Sequence, residues 1–316
     1  MNTKYLLIRT GWRLMSLLPF WAIYLISDLI YFPLYYVARY RRKVVRKNLT
    51  NSFPEKTEKE IIRIEKRFYS AFCDYLMETV KLMDMSPKTV KKHMRFEGLE
   101  ELERLVVKEG KSCVLYMGHN FNWELVTSLP LHFKDESNIR FGQIYHPLTD
   151  KNMDKLFIEL REQYGSECIP MARTLRRIAE LEKQKALFVI GFIADQVPYW
   201  EAINHWVDFL HQDTPVFNGT EKIARRTHSS VFYFSVRKEK RGHYVGKFEL
   251  LTEDASTTST NELTECYFKL LEDGIKKEPH LWLWTHKRWK RTREGYEARE
   301  AQRILERQRY KNNANT

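Results

Sequence analysis

Gly118-His119-Asn120-Phe121-Asn122-Trp123-Glu124 is the stretch on which the reading of this chain turns. It follows an apolar run, Cys113 to Met117, that reads as a buried strand, and it leads into Leu125, Val126 and Leu129, which read as a helix. Five positions on one continuous helix turn through about 500°, which leaves two side chains roughly 140° apart. His119 and Glu124 therefore meet only if His119 sits in the turn and the helix starts near Asn122, a good N-cap. Gly118 permits a sharp turn before the histidine. The expectation is a histidine base and an orienting carboxylate converging at a strand-to-helix junction. The bland alternative is a histidine in a turn and a glutamate placed in a first helical turn by the macrodipole.

Strand and helix patterns alternate after this point. Ile139 to Tyr145, Glu167 to Ile169 and Ala186 to Ile193 read as strands. Asp150 to Tyr164, Thr174 to Lys183, Pro215 to Arg226 and Glu262 to Lys276 read as helices. Val231 to Val236 and Tyr244 to Leu251 flank Lys240-Arg241-Gly242 and read as a hairpin. Before the junction, Thr57 and Glu60 form a capping box that opens a long helix through Met83, and a second helix runs from Leu99 to Lys108. Such alternation with long apolar strands predicts an α/β fold with a largely parallel sheet covered by helices. From Glu294 onward the tail is highly charged and is expected to be an exposed helix fraying from Asn312 to Thr316.

The composition narrows the partners. At 316 residues and 43% hydrophobic the chain has enough apolar material for a full core. Its 53 basic residues against 41 acidic ones favour an anionic partner. From Leu14 to Ala38 the one charged side chain is Asp28, and a basic run, Arg39 to Lys47, follows directly. An apolar segment beside a basic cluster fits an anionic membrane surface. One kinked span, a re-entrant hairpin and an in-plane helix all satisfy the pattern. Cys73, Cys113, Cys168 and Cys266 are scattered, so reduced thiols are expected and no zinc site. The chain holds no phosphate-binding loop, no G-x-G-x-x-G, no H-E-x-x-H and no G-x-S-x-G, which disfavours an ATPase, a dinucleotide enzyme, a zincin and a serine hydrolase. With no protein nucleophile, the substrate's own hydroxyl or amine would attack an activated acyl group. Asp195-Gln196 ends an apolar strand, where α/β sheets commonly bind ligands. Arg161 is either a solvated cation or a group that stabilises an oxyanion.

These pieces together resemble the late acyltransferases of bacterial lipid A biosynthesis, from roughly Leu14 to Lys290. Arg41 to Leu49 followed by Phe53-Pro54, the His119-to-Glu124 spacing with Asn122-Trp123 inside it, and Tyr145-His146-Pro147-Leu148 carry the likeness. So do Leu160-Arg161-Glu162, Ile169-Pro170, Ala194-Asp195-Gln196 and the run Trp282 to Lys290. The chain departs from the family at Phe121, where glycine is common, and at Val197-Pro198-Tyr199-Trp200-Glu201, where a glycine-containing loop is usual.

The resemblance implies a glycerolipid-acyltransferase-like fold with an N-terminal membrane-associated helix. It divides the chain into an anchor with its basic segment (1–48), an acyltransferase domain (49–293) and a charged tail (294–316). It implies His119 as general base with Glu124 orienting it. Asn122, Arg161, Asp195, Gln196, Arg42 and Arg46 are the expected substrate-binding residues. The implied donor is acyl carrier protein, the acceptor a hydroxyl of a lipid A precursor, and the location the inner membrane with the active site facing the cytoplasm. No metal or other cofactor is expected, and no nucleic acid. Another lysophospholipid, aminolipid or glycolipid acceptor, or a non-enzymatic membrane-surface protein, are the alternatives.

Overall fold

The structure is a computed structural model that describes residues 3–134 and 138–314. Helices α1 (Thr3–Ser16) and α2 (Phe20–Phe32), the latter extended by a π turn over Pro33–Val37, precede α3 (Arg42–Ser52) and the long α4 (Glu58–Leu82). The predicted capping box holds: the Thr57 side chain accepts from the Glu60 N–H while the Glu60 carboxylate accepts from the Thr57 N–H. Then come α5 (Pro87–His93), β1 (Met94–Glu97), α6 (Leu99–Glu103) and β2 (Cys113–Met117). The segment after Asn122 is a 3₁₀ helix, Trp123–His132, with Pro130 inside it. β3 (Ile139–Tyr145), α7 (Lys151–Glu162), β4 (Ser166–Pro170), α8 (Thr174–Lys183) and β5 (Leu187–Ile193) match the expected alternation.

Beyond β5 the structure departs from expectation. Pro215 belongs to a short antiparallel pair, β6 (His205–Phe209) with β7 (Gln212–Val216), and helix α9 (Gly219–Arg226) starts only after it. The hairpin is as expected: β8 (Ser230–Lys240) and β9 (His243–Thr252) pair antiparallel. α10 (Glu262–Lys277) and the charged α11 (Arg293–Ala314) complete the chain. α11 continues past Asn312, where fraying was expected; Asn315 and Thr316 lie outside the described residues.

The main sheet has seven strands in the order β1-β9-β8-β2-β5-β3-β4, and only the β8–β9 pair is antiparallel. Central β2 is buried along its whole length, which is why it reads as an unbroken apolar run. Its alternate side chains feed two cores. Val114 and Tyr116 face a cluster with α4, α9 and α10, while Leu115 and Met117 face the 3₁₀ segment, α7 and β3.

Helices α1 and α2 lie against the domain. Tyr24 donates to Glu78, Ser27 to Asp74 and Tyr35 to Glu65, and Arg241 spans Asp28 and Asp74. The opposite face is bare: Leu14, Leu17, Trp21, Leu25, Leu29, Phe32 and Val37 are all exposed. Phe20–Val37 is long and apolar enough to cross a bilayer.

Candidate functional site

β2 and β5 are parallel neighbours, with Met117 opposite Ile193. His119 and Asp195 each sit two residues beyond that pair, so the register brings them together at the carboxyl ends of the strands, where open α/β sheets present their sites. His119 Nδ1 lies 2.5 Å from Asp195 Oδ1, and the His119 backbone N–H donates to Oδ2 at 2.8 Å. The Trp282 indole donates to the same Oδ2 at 2.7 Å. Burial alone would raise the Asp195 carboxyl, but the facing imidazole and these donors outweigh it and hold the group at about 2. An ionised carboxylate only accepts, so the proton is assigned to Nδ1 and the lone pair of His119 to Nε2. Gln196 Nε2 lies 3.1 Å from that atom.

The turn is held by the far end of the chain. Phe121 N–H donates to the Leu281 carbonyl and Leu283 N–H to the His119 carbonyl. Gly118 leaves room for its neighbours: a Cβ there would stand 2.6 Å from Leu271 Cδ1 and 2.8 Å from Asn120 Oδ1, and both side chains would have to shift.

The expected hydrogen bond between His119 and Glu124 is not formed. Asn122 caps the 3₁₀ segment, its Oδ1 accepting from the Glu124 N–H, and its Nδ2 donates to Glu78. Glu124, 1% exposed, is instead held in a fork by Arg161, at 2.8 Å from Nε and 2.6 Å from Nη2. Trp123 Nε1 and Tyr75 OH also donate to it. The reason is geometric. The segment is tighter than an α-helix, and α7 delivers a guanidinium whose planar fork matches a carboxylate better than one imidazole N–H does. Asp195, expected to contact a ligand, is the carboxylate hydrogen-bonded to His119, and its third donor, Trp282, has no signal in local sequence. Arg42 and Arg46 are not among the residues that line the cavity described next. Both guanidiniums bind the buried Glu65, and Arg42 also stacks over the Tyr35 ring.

His119, Glu124, Arg161 and Gln196 open onto one cavity of about 870 Å³. Its deep wall is apolar: Leu115 and Met117 from β2, Phe141 from β3, Val189 and Ile193 from β5, and Val126 and Leu129 from the 3₁₀ segment. Gly191 opens the middle of that wall, since a Cβ there would meet Met117 Sδ at 3.0 Å. Leu148, Met171, Leu175 and Tyr199, all exposed, stand at the rim. A histidine held at Nδ1 by a carboxylate and opening onto a cavity with an apolar wall can take a proton from a hydroxyl next to a hydrocarbon chain.

A family model for bacterial lipid A biosynthesis acyltransferases matches residues 2–291. A search of curated proteins finds no match.

Proposed function

The chain belongs to the bacterial lipid A biosynthesis acyltransferase family, and on that premise we propose that it moves a fatty acyl chain from an acyl carrier protein thioester to a hydroxyl of a lipid A precursor. The observation that carries this reading is the His119–Asp195 pair opening onto a cavity with an apolar floor. The acceptor hydroxyl takes the place now occupied by the Gln196 amide and gives its proton to His119 Nε2. Asp195 fixes the tautomer and stabilises the imidazolium that forms. The oxygen attacks the thioester carbonyl, the tetrahedral intermediate collapses, and the thiolate leaves with the proton from His119. The acyl chain lies along Leu115, Phe141, Val126 and Leu129. Arg161, held in place by Glu124 and lining the same cavity, stabilises the charge that develops on the carbonyl oxygen.

The N-terminal helices lie in the plane of the inner membrane, with the cavity on the cytoplasmic side. The polar face of α2 bonds to Glu78, Asp74 and Arg241 along its length, which supports docking on the domain over a crossing. Burying each exposed leucine of the other face in lipid contributes about 1.5–3 kcal/mol. Leu25→Asp with Leu29→Asp should therefore move the protein from the membrane pellet to the supernatant. Full retention in the pellet, resistant to alkaline carbonate, would support a span instead.

The test of the reaction is competition between acceptors. Purified protein in micelles receives labelled acyl carrier protein with a lipid A precursor and a lysophospholipid together. Label on the lipid A precursor supports the proposal, and label confined to the lysophospholipid overturns the acceptor.

A further inference from the structure

We propose that Glu78 is a positioning residue for the acyl transfer proposed above, the reading on which this assignment rests: its buried carboxylate ties the turn that carries His119 and Glu124 to helix α2, whose other face is bare. Glu78 stands on α4 and is buried. Asn122 Nδ2 donates to its Oε2 at 3.1 Å, and the Tyr244 hydroxyl donates to the same oxygen at 2.7 Å. Tyr24 of α2 donates to Oε1 at 3.1 Å. One carboxylate thus accepts at once from the turn, from β9 and from the helix expected to lie in the membrane.

From Asn122 the link runs in two directions. The buried Asn122 turns its Oδ1 to the Glu124 N–H at 3.0 Å. A backbone N–H can only donate, so this bond assigns the amide oxygen to Glu124 and the amide nitrogen to Glu78. Glu124 in turn holds Arg161. On the other side Trp123, the next residue, sets its ring 5.0 Å from the His119 ring, edge to face. α4 grips the turn a second time through Tyr75, three residues before Glu78 and on the same helix face, which stacks on Phe121 and donates to Glu124. A shift of Asn122 therefore reaches both the base and the ion pair, although Glu78 is not among the residues that line the cavity.

The neighbouring turn of the same helix pair supplies a comparison. Ser27, three residues after Tyr24, donates at 2.8 Å to Asp74, four residues before Glu78. Lys238 and Arg241 also bind Asp74. Among the described residues, Asp74 has no bond to the turn from Gly118 to Glu124. Two rungs therefore join α2 to α4, and one of them ends on the carboxylate that holds Asn122. Proton transfer and oxyanion stabilisation both depend on how closely His119 and Arg161 are held. A positioning role for Glu78 predicts that loosening the Tyr24 rung slows the reaction while loosening the Ser27 rung does not. A merely structural role predicts the same effect from both.

The test uses the full chain in micelles and reads both acyl transfer and amide hydrogen exchange. Asn122→Asp keeps an oxygen for the Glu124 N–H but sets a second carboxylate against Glu78, and should lower kcat about 10²-fold with little change in KM. Adding Glu78→Gln reverses the bond: the new amide donates to the new carboxylate while its oxygen still accepts from Tyr24, and kcat should recover about tenfold or more. A folded Asn122→Asp protein with the parental kcat, or a folded double variant no faster than Asn122→Asp alone, overturns the assignment. Tyr24→Phe and Ser27→Ala each cost α2 one hydrogen bond to α4. Tyr24→Phe should lower kcat about threefold or more and quicken exchange across Trp123–His132, while Ser27→Ala leaves both at the parental level. Equal effects of the two overturn the positioning role. If the parent protein transfers no acyl group, the proposed reaction fails and exchange alone decides. Faster exchange across Trp123–His132 in Tyr24→Phe than in Ser27→Ala then upholds the link from α2 to the turn, and equal exchange overturns it.

Discussion

Asp195→Asn is expected to lower kcat by about 10²–10⁴-fold with little change in KM for either substrate. The amide preserves the shape of the carboxylate but can present an N–H to His119 Nδ1, which favours the tautomer with the proton on Nε2, the atom that must accept from the hydroxyl. It also removes the negative charge that stabilises the imidazolium. The Trp282 indole and the His119 N–H, which both donate to Oδ2, lose a charged acceptor at the same time. Glu124→Gln makes the comparison informative. If Glu124 acts through Arg161, its loss should fall on folding stability and on oxyanion stabilisation, and the pH dependence assigned to the base should stay in place. A Glu124→Gln protein with the larger kcat defect and a shifted acidic limb, the limb set by protonation of the base, would return the orienting role to Glu124. Asp195 also gives a stability signature. Its folded pKa, about 2, lies below the ordinary 3.8, so the stability it contributes is present above pH 4 and is lost as pH falls from there towards 2. Asp195→Asn removes that acid dependence.

Arg161→Met is expected to destabilise the folded chain by about 3–5 kcal/mol, read as a lower thermal midpoint. The guanidinium is paired in two places with a carboxylate that is 1% exposed, and its own side chain is 19% exposed. Removing it leaves Glu124 buried with only the Trp123 and Tyr75 donors. Replacing both partners, Arg161→Met with Glu124→Gln, should recover much of the loss, because the uncompensated charge is then gone. A double variant no more stable than Arg161→Met alone would show that packing of the long side chain, over the Phe157 ring for example, matters more than the charge.

Strands β2 to β5, the hairpin and the capped helix α4 were legible because each is written in local pattern: apolar runs, turn residues at Lys240 to Gly242, and the Thr57–Glu60 box; the four-residue β1 was not. The cap at Asn122 was legible for the same reason. The β6–β7 pair was not. Gln212, Asp213 and Thr214 break any apolar alternation, and the strand is held by distant groups: Arg288 donates to the Pro215 carbonyl, Trp289 to Thr214, and Arg293 binds Asp213. In the site, spacing identified His119 and Glu124 as a candidate pair but not what each would touch. Asp195 is 76 residues from His119, and only the adjacency and register of β2 and β5 set them together. Arg161 reaches Glu124 from α7, a contact equally invisible to local spacing. Arg42 and Arg46, expected to bind substrate, both pair with the buried Glu65 on α4, a partner that local sequence does not reveal.

The most direct test is mass spectrometry of the lipid product formed by purified protein from an acyl carrier protein thioester and a lipid A precursor, with His119→Ala alongside. A product heavier by one acyl group with the parent protein, formed about 10²–10⁴-fold more slowly by the variant, is the expected result. Transfer at the parental rate by a folded His119→Ala protein would contradict the assignment of His119 as the base.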